Sequence, residues 1–328
     1  MAHHDIIVIG ASAGGVEALK RLMRELPQDL SASLFVVLHQ ARMTEPSALP
    51  GILDRAGPLR ALTPLDRTKF ERGHIYVAPP DRHMLIERDH VRIVRGPKEN
   101  RHRPSVDPLF RSAAWAYGPR VVGIVLSGTM DDGAAGLWAI KTCGGVTVVQ
   151  DPAEALYTGM PTSALTTARI DYCLPVDRIA VLLSELASRP VSGTMPAHGL
   201  ERLKTETEFT TLDKDLSDMD ELGDPTVFTC PSCQGTLWEI KDGDMLRYRC
   251  HTGHAFSVDS LLAEQSEAAE TALYSALRAL EEKAAALRRV ADRFSDRFPE
   301  LHARYQHEAG DLDESANVLR QLLVSKTV

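Results

Sequence analysis

With 328 residues, 44% of them hydrophobic, the chain has material for one large domain core and a smaller one. A formal net charge of -8 argues against a general nucleic-acid binder, and five cysteines, three of them in one short segment, do not make a paired disulfide framework. No signal peptide or long apolar span follows Met1, so no membrane insertion is expected and the cytoplasm is the expected compartment.

The first apolar run, Ile6-Ile7-Val8-Ile9, breaks into Gly10-Ala11-Ser12-Ala13-Gly14-Gly15 and resumes at helical spacing through Val16, Leu19, Leu22, Met23 and Leu26. That pattern reads as strand, sharp turn, helix. Two kinds of site share this outline: a glycine-rich loop cradling a pyrophosphate, and a nucleophile elbow that lifts a serine hydroxyl clear of the sheet. The dinucleotide fingerprint needs a glycine where Ser12 stands and an acidic residue about 20 positions later. Instead the next strand, Ser33 to Leu38, ends in His39 and Gln40. In an open parallel sheet both strand tips lie at the carboxyl edge, where Ser12 and His39 meet as nucleophile and base. The plainer alternatives are a helix-capping serine and a packed histidine.

From Asp5 to about Ser188 apolar strands alternate with amphipathic helices, the pattern of a doubly wound, mainly parallel α/β sheet. Further strands are expected at Val121 to Leu126, Val146 to Gln150 and around Tyr172 to Leu174. His74 to Ala78, Met84 to Glu87 and Val91 to Arg95 are short alternating runs that suggest an antiparallel excursion. The loop Asn100 to Asp107 is polar and basic, and charge alone makes it a solvated face. The Val121 strand empties into Ser127-Gly128-Thr129-Met130-Asp131-Asp132-Gly133. An acidic residue there caps the following helix, worth about 1 kcal/mol, or bonds His39 Nδ1 and stabilises an imidazolium. Spacing does not choose between Asp131 and Asp132.

Seven stretches now stand in order: Gly10 to Gly15, the strand-end His39, Gly73-His74-Ile75-Tyr76-Val77-Ala78-Pro79, Asp81-Arg82-His83-Met84, Asn100 to Asp107, Asp131 to Gly136, and Gly159-Met160-Pro161. Together they resemble the catalytic domain of the CheB-type protein-glutamate methylesterases of bacterial chemosensory systems, over about Asp5 to Ala187. The resemblance implies a serine hydrolase with Ser12 as nucleophile, His39 as base and Asp132 completing the triad. It also implies hydrolysis of glutamate γ-methyl esters on a methylated chemoreceptor or related signalling protein, with glutamine deamidation in some members and no organic cofactor. Elbow logic nominates the Ala13 N–H as one oxyanion donor, with the second from Thr129 to Met130. Where the family usually has Gly-Met-Gly-Asn-Asp this chain has Gly-Thr-Met-Asp-Asp, which leaves the second donor open. Arg101, His102, Arg103 and Arg82 are expected to steer a glutamate-rich substrate. Archetypal members carry an amino-terminal receiver domain; here the catalytic pattern begins at residue 5, so regulation is expected from elsewhere. A non-catalytic signalling adaptor that keeps the fold is the alternative function.

Beyond residues 1–188, the stretch 189–226 mixes Pro, Gly, Ser and Thr with an acidic run and reads as a solvated linker. In 227–256, Cys230-Pro231-Ser232-Cys233, a hairpin turning at Asp242-Gly243-Asp244, and Cys250-His251-Thr252-Gly253-His254 match a zinc ribbon. Cys230, Cys233, Cys250 and His254 are the expected ligands of a structural Zn²⁺, with His251 the competitor for the fourth place. In 257–328, Leu273, Leu277, Leu280, Ala284, Leu287, Ala291 and Phe294 form a heptad stripe. After Phe298-Pro299 a second run passes through Leu301, Tyr305, Leu312, Ala316, Leu319 and Leu323. This helical tail is expected to pack as a hairpin on itself or on the ribbon, or to serve homo-oligomerisation or docking to a partner helix.

Overall fold

The computed structural model describes residues 2–39, 47–191, 200–213, 216–242, 245–295 and 297–325. Gln40, part of the linker and the turn residues Gly243 and Asp244 therefore lie outside the described residues. The chain divides into two compact units, Met1–Leu261 and Leu262–Val328.

In the first unit β1 (Ile6–Ala11), α1 (Gly15–Glu25), β2 (Ser33–Leu38), α2 (Leu49–Ala56), β3 (Arg60–Leu62) and β4 (His74–Val77) are followed by the hairpin β5 (His83–Glu87) and β6 (His90–Val94). Then come α3 (Val106–Tyr117), β7 (Val121–Val125), α4 (Ala134–Thr142), β8 (Val146–Gln150), α5 (Gly159–Thr167), β9 (Tyr172–Leu174) and α6 (Val176–Ser188). Seven strands form one sheet in the order β3-β4-β2-β1-β7-β8-β9, every neighbouring pair parallel. The strands are continuous apolar runs because both faces are covered. Ile7, Ile9 and Ala11 of β1 join the core beneath α1 and α6, while Ile6 and Val8 join the one beneath α3 and α4. From β1 the chain winds outward through β2 in one direction and through β7 in the other. Ligands bind at such a switch point, outside the carboxyl ends of the strands.

Two expectations change. His74–Val77, expected in an antiparallel excursion, pairs parallel with β2 as a strand of the main sheet, because Ile75 and Val77 feed one core and Tyr76 the other. Only β5 and β6 form the antiparallel hairpin, closing tightly at Glu87↔His90 with Asp89 at φ 68°. The short strand β3 was not expected at all.

The stretch read as a solvated linker contains α7 (Leu200–Thr211), with Leu203, Thr205, Glu206, Thr207, Phe209 and Thr210 buried. Only two of these are strongly apolar. Glu206 and Thr210 are buried because other segments supply their partners, which composition does not reveal. The ribbon follows as an antiparallel sheet of β10 (Asp224–Thr229), β11 (Thr236–Asp242), β12 (Met245–Cys250) and β13 (Ala255–Ser257). It packs as part of the first unit, through a buried ionic network. Glu99 bridges Arg111 of α3 (3.0 Å) and Arg249 of β12 (2.9 Å) and accepts from Thr210 Oγ1 of α7 (2.7 Å). Arg247 joins Glu206 and Asp242. Removing one partner from such a network strands a buried charge.

The second unit comprises most of α8 (Val258–Phe294) and all of α9 (Pro299–Ser325). They run antiparallel, cross-linked by Arg320–Glu281 and Arg288–Asp313, with Ala284, Ala291, Ala309 and Ala316 buried. Among the described residues no helix is long and apolar enough to cross a membrane.

Candidate active site

Ser12 and His39 each follow the last paired residue of adjacent parallel strands, Ala11 and Leu38. The two exits are tied together, since His39 N donates to the Ala11 carbonyl (3.1 Å) and Ser12 N to the Ser127 carbonyl beyond β7 (3.0 Å). Three strand tips therefore converge at the switch point. Two glycines make that possible. Gly14 opens α1 at φ 74°, a conformation open to glycine at little cost, and a side chain there would press on Ser127 Oγ at 2.7 Å. At Gly128 a Cβ would lie 2.9 Å from Ser12 Cβ and 2.1 Å from Met160 Sδ, so the loop after β7 slides under the serine only without a side chain.

His39 Nε2 lies 2.7 Å from Asp132 Oδ2, with the two side chains 5% and 2% exposed. The carboxylate was expected on Nδ1; here it takes Nε2, and the buried Nδ1 makes no hydrogen bond among the described residues. The ring is held flat against His102, centroids 3.6 Å apart at 4°, so its plane and its two nitrogens are set by packing as well as by Asp132. Nδ1 is thus the nitrogen left to accept a proton. A serine–histidine bond that forms only once substrate is bound is compatible with this geometry.

Asp132 accepts from Asn100 Nδ2 (3.0 Å), Ser105 Oγ (2.9 Å), Val106 N (2.7 Å) and Asp107 N (3.2 Å) besides His39. Burial alone would raise its pKa, but the hydrogen bond and charge of His39 and the backbone donors hold it well below the usual carboxylate range. Asp107 goes the other way. Burial first, then the neighbouring Asp132, pushes it up, as expected of two buried carboxyls that share a site. Its Oδ1 accepts from Gly133 N (3.0 Å) and Gly136 N (2.7 Å), capping α4, and its Oδ2 accepts from Asn100 Nδ2 (2.7 Å). Burial also lowers His102 to about 4, with His39 adding to the effect, so that ring is neutral where the site works.

The loop read as a solvated basic face has a buried inner side: Asn100, Ser105 and Asp107 are all under 10% exposed. Asp107 and Asn100 belong to the site and were missed as individuals. The signal was present, because uncharged Asn and Ser and an acid interrupt the basic run. Arg103 is committed locally, donating to Asp81 (2.6 Å) and the Gly96 carbonyl (2.7 Å), while Arg101 sits at φ 71° and Arg82 is exposed. Met130 occupies a left-handed conformation, φ 63°, uncommon for a side-chain-bearing residue and frequent where backbone groups are aimed at a ligand. Ala13 directly follows the serine. A cleft of about 650 Å³ opens beside Met130, lined also by Asp131, Gly159, Thr162, Ser257 and Asp259. Burial raises Asp131 there to about 6.

Cys230, Cys233, Cys250 and His254 bring their donor atoms within 4.8 Å of one another. Cys233 Sγ and Cys250 Sγ are 3.7 Å apart and Cys250 Sγ and His254 Nδ1 3.5 Å. A tetrahedral zinc with the usual bond lengths separates two sulfurs by about 3.8 Å and sulfur from nitrogen by about 3.5 Å. The donor set fits that metal in both chemistry and spacing. The His251 ring packs instead toward Gly235.

The sequence pattern of the CheB methylesterases matches residues 7–183, more than half of the chain. The chain belongs to the CheB methylesterase family. It is 38% identical over 179 residues, 53% of its length, to protein-glutamate methylesterase/protein-glutamine glutaminase 2 of Rhizobium johnstonii, and covers 48% of that protein. It is 39% identical over 187 residues to the fourth such protein of Anaeromyxobacter dehalogenans, covering 56% of this chain and 52% of that one. The chain thus spans about half the length of these two relatives. The crystal structure of the Thermotoga maritima CheB methylesterase catalytic domain superposes with a TM-score of 0.53 at 30% identity, covering 56% of this chain and 98% of that one. The CheB match ends before the ribbon, whose packing on the site is additional to it.

Proposed function

We propose that this chain is a protein-glutamate methylesterase that hydrolyses glutamate γ-methyl esters on chemoreceptor-like signalling proteins, in the cytoplasm. The observation that carries the reading is the buried His39–Asp132 pair, one strand away from the serine turn. Ser12 Oγ attacks the ester carbonyl as its proton passes to His39 Nδ1, and Asp132 stabilises the imidazolium through Nε2. The oxyanion is held by the Ala13 N–H and a second donor from the loop at Met130, each worth about 3 kcal/mol of barrier. His39 returns the proton to the departing methoxide, giving methanol, and then activates the water that releases glutamate from Ser12. With a glutamine side chain the same sequence expels ammonia, the second activity in the relatives' names.

Arg101 and Arg82 remain candidates for steering a glutamate-rich helix, an effect that salt weakens. Arg103 contributes through its Asp81 pair, which braces the loop. The ribbon holds a structural Zn²⁺ on Cys230, Cys233, Cys250 and His254, and four protein ligands leave no position for catalytic water. The helical unit serves docking or self-association. Incubation with a methylated receptor should release methanol from the wild-type chain and none from Ser12→Ala; equal release from both would end the reading.

A further inference from the structure

We propose that the metal-binding ribbon positions the catalytic carboxylate, acting on Asp132 through the side chain of Asn100. For its catalytic consequence the proposal rests on the hydrolase reading above. Asn100 and Arg101 are consecutive residues at φ 47° and 71°, a left-handed pair that persists only where the surroundings hold it. What holds it is β13. The Asn100 N–H donates to the Ala255 carbonyl (2.8 Å), its Oδ1 accepts from Ser257 N (3.0 Å), and Ala255 N donates back to the Lys98 carbonyl (3.3 Å). The same amide group turns its Nδ2 to both Asp132 and Asp107 (3.0 and 2.7 Å). One planar amide therefore reads β13 with its oxygen and the catalytic carboxylate with its nitrogen.

The other end of the relay is the metal loop. β13 begins at Ala255, immediately after His254, and Cys250 N donates to the His254 carbonyl (2.9 Å), so the two ligands bracket a closed knuckle. Arg249, fully buried beside Cys250, donates to the Gly253 carbonyl (2.9 Å) inside that knuckle and to Glu99 (2.9 Å), the neighbour of Asn100. The ligands Cys250 and His254 thus fix both strands that grip residues 98–100. If the knuckle loosens, Asn100 Oδ1 loses its donor from Ser257 and keeps only the long contact from Ser260 Oγ (3.5 Å), so the amide is held against Asp132 by its Nδ2 alone and its position loosens. Asp132 keeps Ser105, Val106 and Asp107 as donors, so its orientation degrades without being abolished. Asn100 is a positioning residue: it acts on the reaction through Asp132.

The test uses the full chain with zinc bound, the same chain after chelation, and Asn100→Ala with zinc bound and after chelation. Backbone hydrogen exchange at residues 99–107 is measured alongside kcat and KM for a small nitrophenyl ester. Removing zinc should speed exchange at 99–107 by about tenfold or more, and lower kcat by about 10- to 100-fold while KM stays within about twofold. Zinc-bound Asn100→Ala, with metal content and circular dichroism unchanged, should already show the lower kcat at an unchanged KM, and chelation should lower it little further. The proposal is overturned if chelation leaves exchange and kcat unchanged, if zinc-bound Asn100→Ala keeps the wild-type kcat, or if chelation lowers kcat as much in Asn100→Ala as in wild type. Failure of the zinc-bound wild type to hydrolyse the ester through Ser12 would refute the hydrolase reading instead, and the exchange data would still decide the coupling.

Discussion

Replacing Asp132 by asparagine keeps the shape of the side chain and removes its charge, and the geometry says what each loss costs. In wild type Oδ2 faces His39 Nε2 and Val106 N, Oδ1 faces Asn100 Nδ2 and Asp107 N, and Ser105 Oγ lies 2.9 Å from both oxygens. The new NH₂ group will take the Oδ1 side, which leaves His39 its acceptor and lets the Ser105 hydroxyl donate to the oxygen that remains. Asp107 N then loses its acceptor and Asn100 Nδ2 keeps only Asp107 Oδ2, at about 1–3 kcal/mol for each bond lost. Part of that is offset because Asp107 no longer faces a like charge. The imidazolium formed during attack loses its carboxylate, for which the comparable change in a serine protease costs about 10⁴ in kcat, roughly 5 kcal/mol. Asp132→Asn should therefore remain folded but with a lowered melting temperature. Its kcat should fall by about three to four orders of magnitude on both a nitrophenyl ester and a methylated receptor. Circular dichroism at the assay temperature checks the fold. A folded variant that retains more than about a tenth of the wild-type kcat would refute the assignment of Asp132 to the imidazolium.

Acid should weaken the junction between ribbon and catalytic sheet. Burial would raise Glu99, but Arg111 and Arg249 hold it at about 2, below its ordinary value of 4.5. A folded pKa below the unfolded one adds stability above pH 4.5 that disappears as pH falls through 2. Urea midpoints should report a loss of roughly 3 kcal/mol across that window, and Glu99→Gln should flatten the dependence. Asp131, raised to about 6, has the opposite sign: its contribution is complete below its unfolded value and is lost as pH rises through 6, so it does not mask the acid limb. Gly128→Ala puts a methyl group against Ser12 and Met160 and should cost about 100-fold in kcat with the fold intact; a change under about threefold would show the loop position to be immaterial. Ala291→Leu overfills a fully buried site in the helical unit and should destabilise it by about 1–3 kcal/mol, seen as earlier melting of helical dichroism with ester turnover unchanged.

The strand, turn and helix around Ser12, the histidine at the tip of β2 and the ligand spacing of the ribbon were legible from local sequence because each depends on neighbours along the chain. Apolar periodicity marks a strand whatever lies beside it, and a tight turn demands glycine wherever it occurs. Residues 74–77 were misplaced because four residues are too few for their pattern to separate a hairpin strand from the flank of a parallel sheet, where Ile75, Tyr76 and Val77 are all buried. Residues 200–211 were misread for a related reason. Besides Leu203 and Phe209 their buried side is threonine and glutamate, and the burial of Glu206 and Thr210 is decided by Arg247, Arg249 and Arg111, which arrive from elsewhere.

Local sequence by itself determined which chemistry the chain carries: a hydroxyl on one strand tip, an imidazole on the next, carboxylates on a third, and a thiol-rich knuckle near the end. Spacing left two adjacent aspartates open and the family resemblance implied Asp132; only the tertiary structure decided which imidazole nitrogen that carboxylate takes, and that Asn100 joins the ribbon to it. The physical reason is that hydrogen bonds act over about 3 Å regardless of sequence separation. Asp132 lies 93 residues from His39 and Ser257 lies 157 from Asn100, so no spacing in the chain encodes those contacts until the sheet and the ribbon have closed around them.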